Sequence, residues 1–225
     1  MPIKAVVFDL DGTLAEFNLD YKAVRAEVMH FLLNQGLPAS ILSVDESVFE
    51  MLKKAQVYMQ NNGKEKRFST VKKDVLAIAS KHEWEAANRT SLMPGAFEAL
   101  KALKMMNLKL GIFTINSEKS TNLILDRFRL RQFFDATVAR EGVPRVKPDP
   151  SHLKAALKAL DVEVGEAIVV GDNAVDMKSA SALKTTSVGI AVTDAAAKKL
   201  GETGAAHVVR SITELPALIS RLNMP

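Results

Sequence analysis

Two aspartates separated by one leucine, Asp9 and Asp11 in "AVVFDLDGTL" (residues 5–14), close a run of small apolar residues and precede a Gly-Thr turn. Alternate side chains of a strand share a face, so both carboxylates can point toward one ligand. Neighbouring carboxylates repel unless a shared proton or a cation intervenes; the first suits acid/base chemistry, the second a hard metal ion. "AIVVGDNAVD" (167–176) repeats the arrangement: an apolar run, then Gly171, Asp172 and, at the start of an expected helix, Asp176. Oxygen donors without Cys or a nearby His favour Mg2+, which binds at about 2.0–2.1 Å and usually keeps several waters and a substrate phosphate.

Two further segments end in residues suited to phosphate. In "GIFTINS" (111–117) the Thr114 hydroxyl and the backbone N–H groups that follow, of Ile115 and Asn116, could cradle phosphoryl oxygens. In "RVKPDP" (145–150) Lys147 stands before two prolines, where its ammonium can neutralise both an acid cluster and a bound phosphate. Plainer readings stand beside these. Asp9 and Asp11 could form a strand-end turn, Asp172 a helix N-cap and Asp176 a first-turn acid favourable to the helix dipole. Thr114 could be an ordinary strand residue and Lys147 a solvated loop lysine. Asn116 suits a contact to substrate or catalytic loop and an Asx-type turn equally.

The elements that must position these residues are legible as short apolar runs at Val6–Phe8, Leu110–Phe113, Thr137–Ala139, Ala167–Val170, Ser187–Ile190 and His207–Val209. From Leu110 onward amphipathic segments separate them, which predicts an α/β fold: a Rossmann-like parallel sheet with helices on both faces. Asp149-Pro150 supplies an N-cap and a first-position proline for a helix over Ser151–Leu160. Phe97, Leu100 and Leu103 give one apolar face to a helix after Pro94-Gly95. Residues 16–91 break the alternation, with helical stretches at Tyr21–Gln35, Glu46–Asn61 and Thr70–His82 and "NNGKEKR" (61–67) as a polar connection. They read as an all-helical cap domain inserted into a discontinuous α/β core of residues 1–15 and 92–225. Ligands bind beyond the carboxyl ends of parallel strands, so an insert leaving the first strand there is expected to act as a lid.

Composition narrows the function class. With 225 residues, 48% of them hydrophobic, the chain can bury a substantial core. The net charge of +4 comes from 30 basic and 26 acidic residues mixed along the chain, which reads as a solvated surface and only a weak argument for nucleic acid, so no nucleic-acid partner is expected. The absence of cysteine excludes disulfides and any thiolate ligand or nucleophile. The N-terminal apolar stretch lacks a basic lead-in and a cleavage pattern, and nothing reaches the roughly 18 apolar residues of a membrane span. The expectation is a soluble, cytoplasmic protein. His30, His82, His152 and His207 lack ligand-like spacing and read as structural, Trp84 as packing, and Tyr21, Lys22, Arg25, Lys64 and Arg67 as solvated helix surface.

Taken in order, Phe8-Asp9-Leu10-Asp11-Gly12-Thr13-Leu14, Thr114, Lys147-Pro148 and Gly171-Asp172 with Asp176, each beside a strand, resemble the haloacid dehalogenase-like hydrolase superfamily. The helical insert is similar to the cap of its phosphoglycolate-phosphatase-like group. The resemblance implies a magnesium-dependent phosphatase acting on a small phosphorylated metabolite in two steps. Asp9 would attack phosphorus and Asp11 serve as acid and then base, while Thr114 and Lys147 stabilise the phosphoryl oxygens. Magnesium would be held by the Asp9 carboxylate, the Asp11 backbone carbonyl and Asp172, with Asp176 acting through water or orienting Lys147. Gly12 and Thr13 would shape the turn.

A sugar phosphomutase of the β-phosphoglucomutase kind is the alternative, but such members carry a histidine early in the cap, and "AEFNLDYKAVRAE" (15–27) has none, though Lys22 keeps the idea open. The superfamily's dehalogenases lack the second aspartate. A receiver domain is about half as long, and a non-catalytic binding protein remains the reading from another class. Substrate and oligomeric state are not indicated.

Overall fold

The computed structural model describes residues 2–16 and 18–224; positions 1, 17 and 225, which the expected domain ranges include, lie outside the described residues. In chain order its strands and α-helices are β1 (Ala5–Phe8), α1 (Tyr21–Asn34), α2 (Val48–Asn61), α3 (Glu65–Arg89), α4 (Ala96–Met105), β2 (Lys109–Phe113), α5 (Glu118–Arg127), β3 (Ala136–Val138), α6 (Pro150–Leu160), β4 (Ala167–Gly171), α7 (Ala174–Leu183), β5 (Thr186–Ile190), α8 (Asp194–Glu202), β6 (His207–Val209) and α9 (Leu215–Leu222). They divide into two compact units, Met1–Phe17 with Asn88–Pro225, and Asn18–Ala87.

The first unit is built on a six-stranded sheet in the order β3-β2-β1-β4-β5-β6. Every pairing is parallel, as the alternating strand and helix signals predict. Phe8 pairs with Ile112 on one side and Val170 on the other, so three strands end level with one another. All four β1 residues are fully buried. Ala5, Val7, Phe113 and Val169 pack against Leu153, Ala156, Leu157 and Leu160, whose spacing makes one face of α6. Val6, Phe8, Ile168 and Val170 point the other way by strand alternation and are buried too, so both faces of the sheet are covered.

Helix ends follow the sequence signals. Asp149 caps α6 through the Ser151 N–H at 2.9 Å, with Pro150 at the first helical position, and Ser117 caps α5 through the Ser120 N–H. On α4, Leu100 and Leu103 are buried as expected, whereas Phe97 lies at the solvent edge with its ring edge-on to Phe133 at 5.0 Å. The apolar face is therefore narrower than the sequence suggests.

The second unit is all-helical, its core formed by residues that include Val24, Val28 and Leu32 of α1, Met51, Ala55 and Met59 of α2, and Val71, Val75 and Ala79 of α3. Here α3 is longer than the expected Thr70–His82. The polar connection is confined to Asn62, Gly63 and Lys64, because Glu65, Lys66 and Arg67 continue as the first turn of α3. These are good helix formers, and their polarity marks an exposed face, not a break. Among the described residues no helix is long and apolar enough to cross a membrane.

After β1 the chain turns at Gly12, which has φ +76° and lies so close to Asp172 that an added Cβ would stand 2.3 Å from Oδ2. Gly36, in the helical unit, has a similar φ of +87° with nothing within 4 Å of that position. Gly36→Ala should therefore cost only the left-handed strain, about 1–2 kcal/mol, in a urea titration. Gly12→Ala should cost distinctly more, since the carboxylate must also move; equal costs would show that Asp172 yields freely.

Candidate active site

The acids come together because β1 and β4 are neighbours in the sheet. The Asp9 N–H donates to the Val170 carbonyl at 2.9 Å, extending the parallel register one residue past β1. Asp9 thus lies beside the end of β4, from which Gly171 and Asp172 follow directly, and Asp176 stands in the first turn of α7. Carboxylate oxygens of Asp9, Asp172 and Asp176 lie within 4.8 Å of one another. Gly171 makes room for this, since a Cβ there would be 2.4 Å from Asp176 Oδ2. That oxygen accepts from the Asn173 N–H at 3.2 Å.

Lys147 reaches the cluster from the loop that precedes α6, and the peptide that joins it to Pro148 is cis. Its Nζ lies 2.6 Å from Asp9 Oδ1 and 2.7 Å from Asp176 Oδ1, and 4.3 Å from the centre of the Phe113 ring. Both Lys147 and Asp176 are buried. Burial opposes the lysine's charge, but Asp176 and Asp9 outweigh it and hold the ammonium above its ordinary pKa. For Asp176 burial dominates and pushes the carboxyl up, against the pull of Lys147. Asp172, which reaches solvent, is pushed up to about 6 by desolvation and then by the Asp9 charge. Lys147 brings one positive charge to three carboxylates. The donors are hard oxygens and negative charge is left over, so the cluster fits a metal cation; Asp9 and Asp172 offer ligand oxygens, and Asp176, whose Oδ1 and Oδ2 already accept from Lys147 and the Asn173 N–H, adds its charge.

Asp11 is tied to the end of β2: Asn116 Nδ2 donates to Asp11 Oδ2 at 2.5 Å. Thr114 is fully buried, and its hydroxyl accepts the Asn116 N–H at 3.2 Å. That amide, expected among the groups cradling phosphate, is thus engaged inside the loop. The Ile115 carbonyl accepts from Arg140 Nη1 at 3.2 Å and the Asn116 carbonyl from the Arg140 N–H. Asp9, Asp172, Asp176 and Lys147 accordingly form one charged cluster, while Asp11, Thr114, Ile115 and Asn116 form a hydrogen-bonded loop beside the end of β1.

Three participants escape the sequence reading. Thr13, expected only to shape the turn, donates from its hydroxyl to Asp172 Oδ1 at 3.3 Å. Arg140, a buried guanidinium just past β3, carries no motif. His152, expected as structural, accepts the Lys147 N–H through Nδ1 at 3.3 Å. The only signal for these was position beside a strand end or in the first turn of α6, which many ordinary residues share.

A family model of haloacid dehalogenase-like hydrolases matches residues 6–190. A phosphoglycolate phosphatase of Pseudomonas savastanoi pv. phaseolicola is 27% identical over 94% of this chain and 78% of its own length. The pyrophosphatase PpaX of Bacillus mycoides is 27% identical over 99% of this chain and 100% of its own. Among solved structures, a phosphonoacetaldehyde hydrolase-like protein from Oleispira antarctica superposes with a TM-score of 0.70 at 17% identity, covering 99% of this chain and 93% of the other; at that identity the likeness concerns the fold. With the matched span running from inside β1 to the last residue of β5, across every acid of the cluster, the chain belongs to the haloacid dehalogenase-like hydrolase family.

Proposed function

We propose that the chain is a magnesium-dependent phosphatase that hydrolyses a small organic phosphate monoester through a phosphoryl group carried on Asp9. The observation that carries this reading is the placement of the Asp9 carboxylate against the buried Lys147 ammonium, with Asp172 and Asp176 completing an acid cluster within 4.8 Å. Asp9 Oδ1 accepts from both Lys147 and the Leu10 N–H, at 2.7 Å for the latter, which leaves Oδ2 to face phosphorus. In the first step an Asp9 oxygen bonds to phosphorus, the bond to the leaving oxygen breaks, and that oxygen takes its proton from Asp11. In the second, Asp11 takes a proton from water as the water oxygen bonds to phosphorus; the bond to Asp9 breaks and inorganic phosphate departs. Thr114 and Lys147 hold the phosphoryl oxygens. When bound by Asp9, Asp172 and the Asp11 carbonyl, the metal supplies the positive charge that lets an anionic nucleophile approach an anionic ester. Asp176 serves by orienting Lys147, and residues 16–91 are proposed as a separate domain inserted into the core's chain.

A screen of phosphate monoesters with Mg2+, scoring phosphate release and isomer formation separately, tests the reaction class and separates hydrolase from mutase. Asp9→Asn keeps size and removes the nucleophile, so kcat should fall by roughly 10⁴- to 10⁶-fold with the fold retained. A near-normal rate would assign the nucleophile elsewhere. Lys147→Ala should lower kcat by about 10²–10³-fold, or about 2.7–4 kcal/mol.

The raised pKa of Asp172 has a sign that can be measured. An acid whose folded-state pKa lies above its unfolded value binds protons more readily when folded, so its ionisation costs stability as pH climbs from about 4 through about 6. Metal-free Asp172→Asn should thus melt above metal-free wild type at pH 8, with the difference vanishing near pH 4. Added Mg2+ should raise the melting temperature of wild type more than that of the variant. A difference that does not change with pH would show that folding does not raise the Asp172 pKa.

A further inference from the structure

His152 lies in the first turn of α6, fully buried, and has no part in the chemistry proposed above. Its two ring nitrogens meet opposite kinds of partner. Nδ1 faces the Lys147 backbone N–H at 3.3 Å, which can only donate, and Nε2 faces the Val138 carbonyl at 3.1 Å, which can only accept. One protonation state satisfies both contacts: a neutral imidazole with its proton on Nε2. An imidazolium, or the other tautomer, would set two N–H groups against each other.

The same Val138 carbonyl also accepts the Thr114 N–H at 3.1 Å. The imidazole lies 5.6 Å from the Phe113 ring, edge-on, and the Lys147 ammonium stands over that same ring. The side chain therefore links the backbone that carries Lys147 to the carbonyl that anchors the backbone of Thr114. We infer that His152 is a positioning residue: a neutral Nε2–H imidazole that fixes the Lys147 loop to β3 and so sets where the ammonium stands relative to Asp9 and the phosphoryl group.

The environment matches that assignment. Desolvation, with the Lys147 charge adding to it, pushes the imidazole pKa down to about 4, so the ring is neutral at physiological pH. The Val138 hydrogen bond and the Asp9 charge pull the other way and are outweighed, while Leu153, the next residue of α6, shares a buried apolar cluster with Phe113 and Val138. A glutamine can imitate both contacts, since its carboxamide accepts through one atom and donates through another; leucine can imitate neither.

The effect on turnover rests on the phosphatase reading, whereas the tautomer does not. The first measurement is therefore on wild type: imidazole ¹⁵N resonances should show His152 protonated on Nε2 alone at neutral pH, and the Lys147 amide should exchange slowly. A proton on Nδ1 overturns the inference whatever the protein hydrolyses. The second is kinetic, with p-nitrophenyl phosphate and Mg2+. His152→Leu should lower kcat by about 10- to 100-fold, the range found where the partner that orients a metal-ligating residue is removed, with KM changed less and His152→Gln recovering most of the rate. In a Lys147→Ala background the same His152→Leu change should have almost no further effect. Losses that multiply would show that His152 acts on the site by some route other than Lys147, and would sink the proposal. If wild type hydrolyses no phosphate ester, the functional reading fails, and the resonances still decide the clamp.

Discussion

A buried ammonium is tolerated only where opposite charge compensates the water it has lost. Lys147 meets that condition through Asp9 and Asp176, contributed by chain segments far from it and from each other. The constraint acts in both directions. Without Lys147 the two carboxylates would stand beside each other with nothing between them, and without either carboxylate the lysine would stand partly uncompensated in the core. The three side chains therefore fix one another, and the loop before α6, the end of β1 and the first turn of α7 must hold their places together. Asp172 lies outside that pairing, and desolvation together with the Asp9 charge raises its carboxyl pKa. Unequal sharing of one ammonium among three acids leaves the cluster able to take a cation without dismantling the ion pair.

Sheet order makes the constraint possible. The chain builds β2 and β3 to one side of β1 and then crosses to the other for β4, β5 and β6. The gap at such a reversal opens beyond the carboxyl ends of the strands on either side, here β1 and β4. Both end in aspartates, and the level register of Phe8 with Ile112 and Val170 brings the loop after β2 to the same edge. Residues separated by more than a hundred positions thus become neighbours through hydrogen bonds that any apolar sequence of β propensity could make. Chemistry resides in the one or two residues that follow each strand.

That division explains what could be read without coordinates. Strand positions were legible because parallel strands buried on both faces are short, nearly continuous apolar runs; β1, β2, β4 and β5 extend the expected runs by one residue each, and β3 lies one residue earlier than expected. The acids and Lys147 were legible because polar residues at the ends of such runs demand an explanation. The start of α3 was not, because Glu65, Lys66 and Arg67 are polar for a reason unrelated to turns. Thr13 and His152 were not, because their roles depend on partners that no local pattern specifies: Thr13 meets Asp172 across 159 positions, and His152 meets Val138 across 14. A threonine in a turn and a histidine in a helix have many ordinary uses, and only the partner distinguishes among them.

Position after a strand also determines which parts of the site are tied to one another. Asn116 donates to Asp11 with its side chain while its backbone N–H is held by the Thr114 hydroxyl. Asp11 is therefore held in part from the segment that follows β2. On the proposed reading, the group that handles the proton and a residue that holds the phosphoryl oxygens belong to one hydrogen-bonded set, and the nucleophile and its ammonium belong to a second, ion-paired assembly. Both are anchored to the same carbonyl row: Thr114 N–H and His152 share the oxygen of Val138, and His152 in turn holds Lys147. A substitution that shifts β3 should consequently disturb proton transfer and phosphoryl binding together, even though β3 contributes no side chain to either.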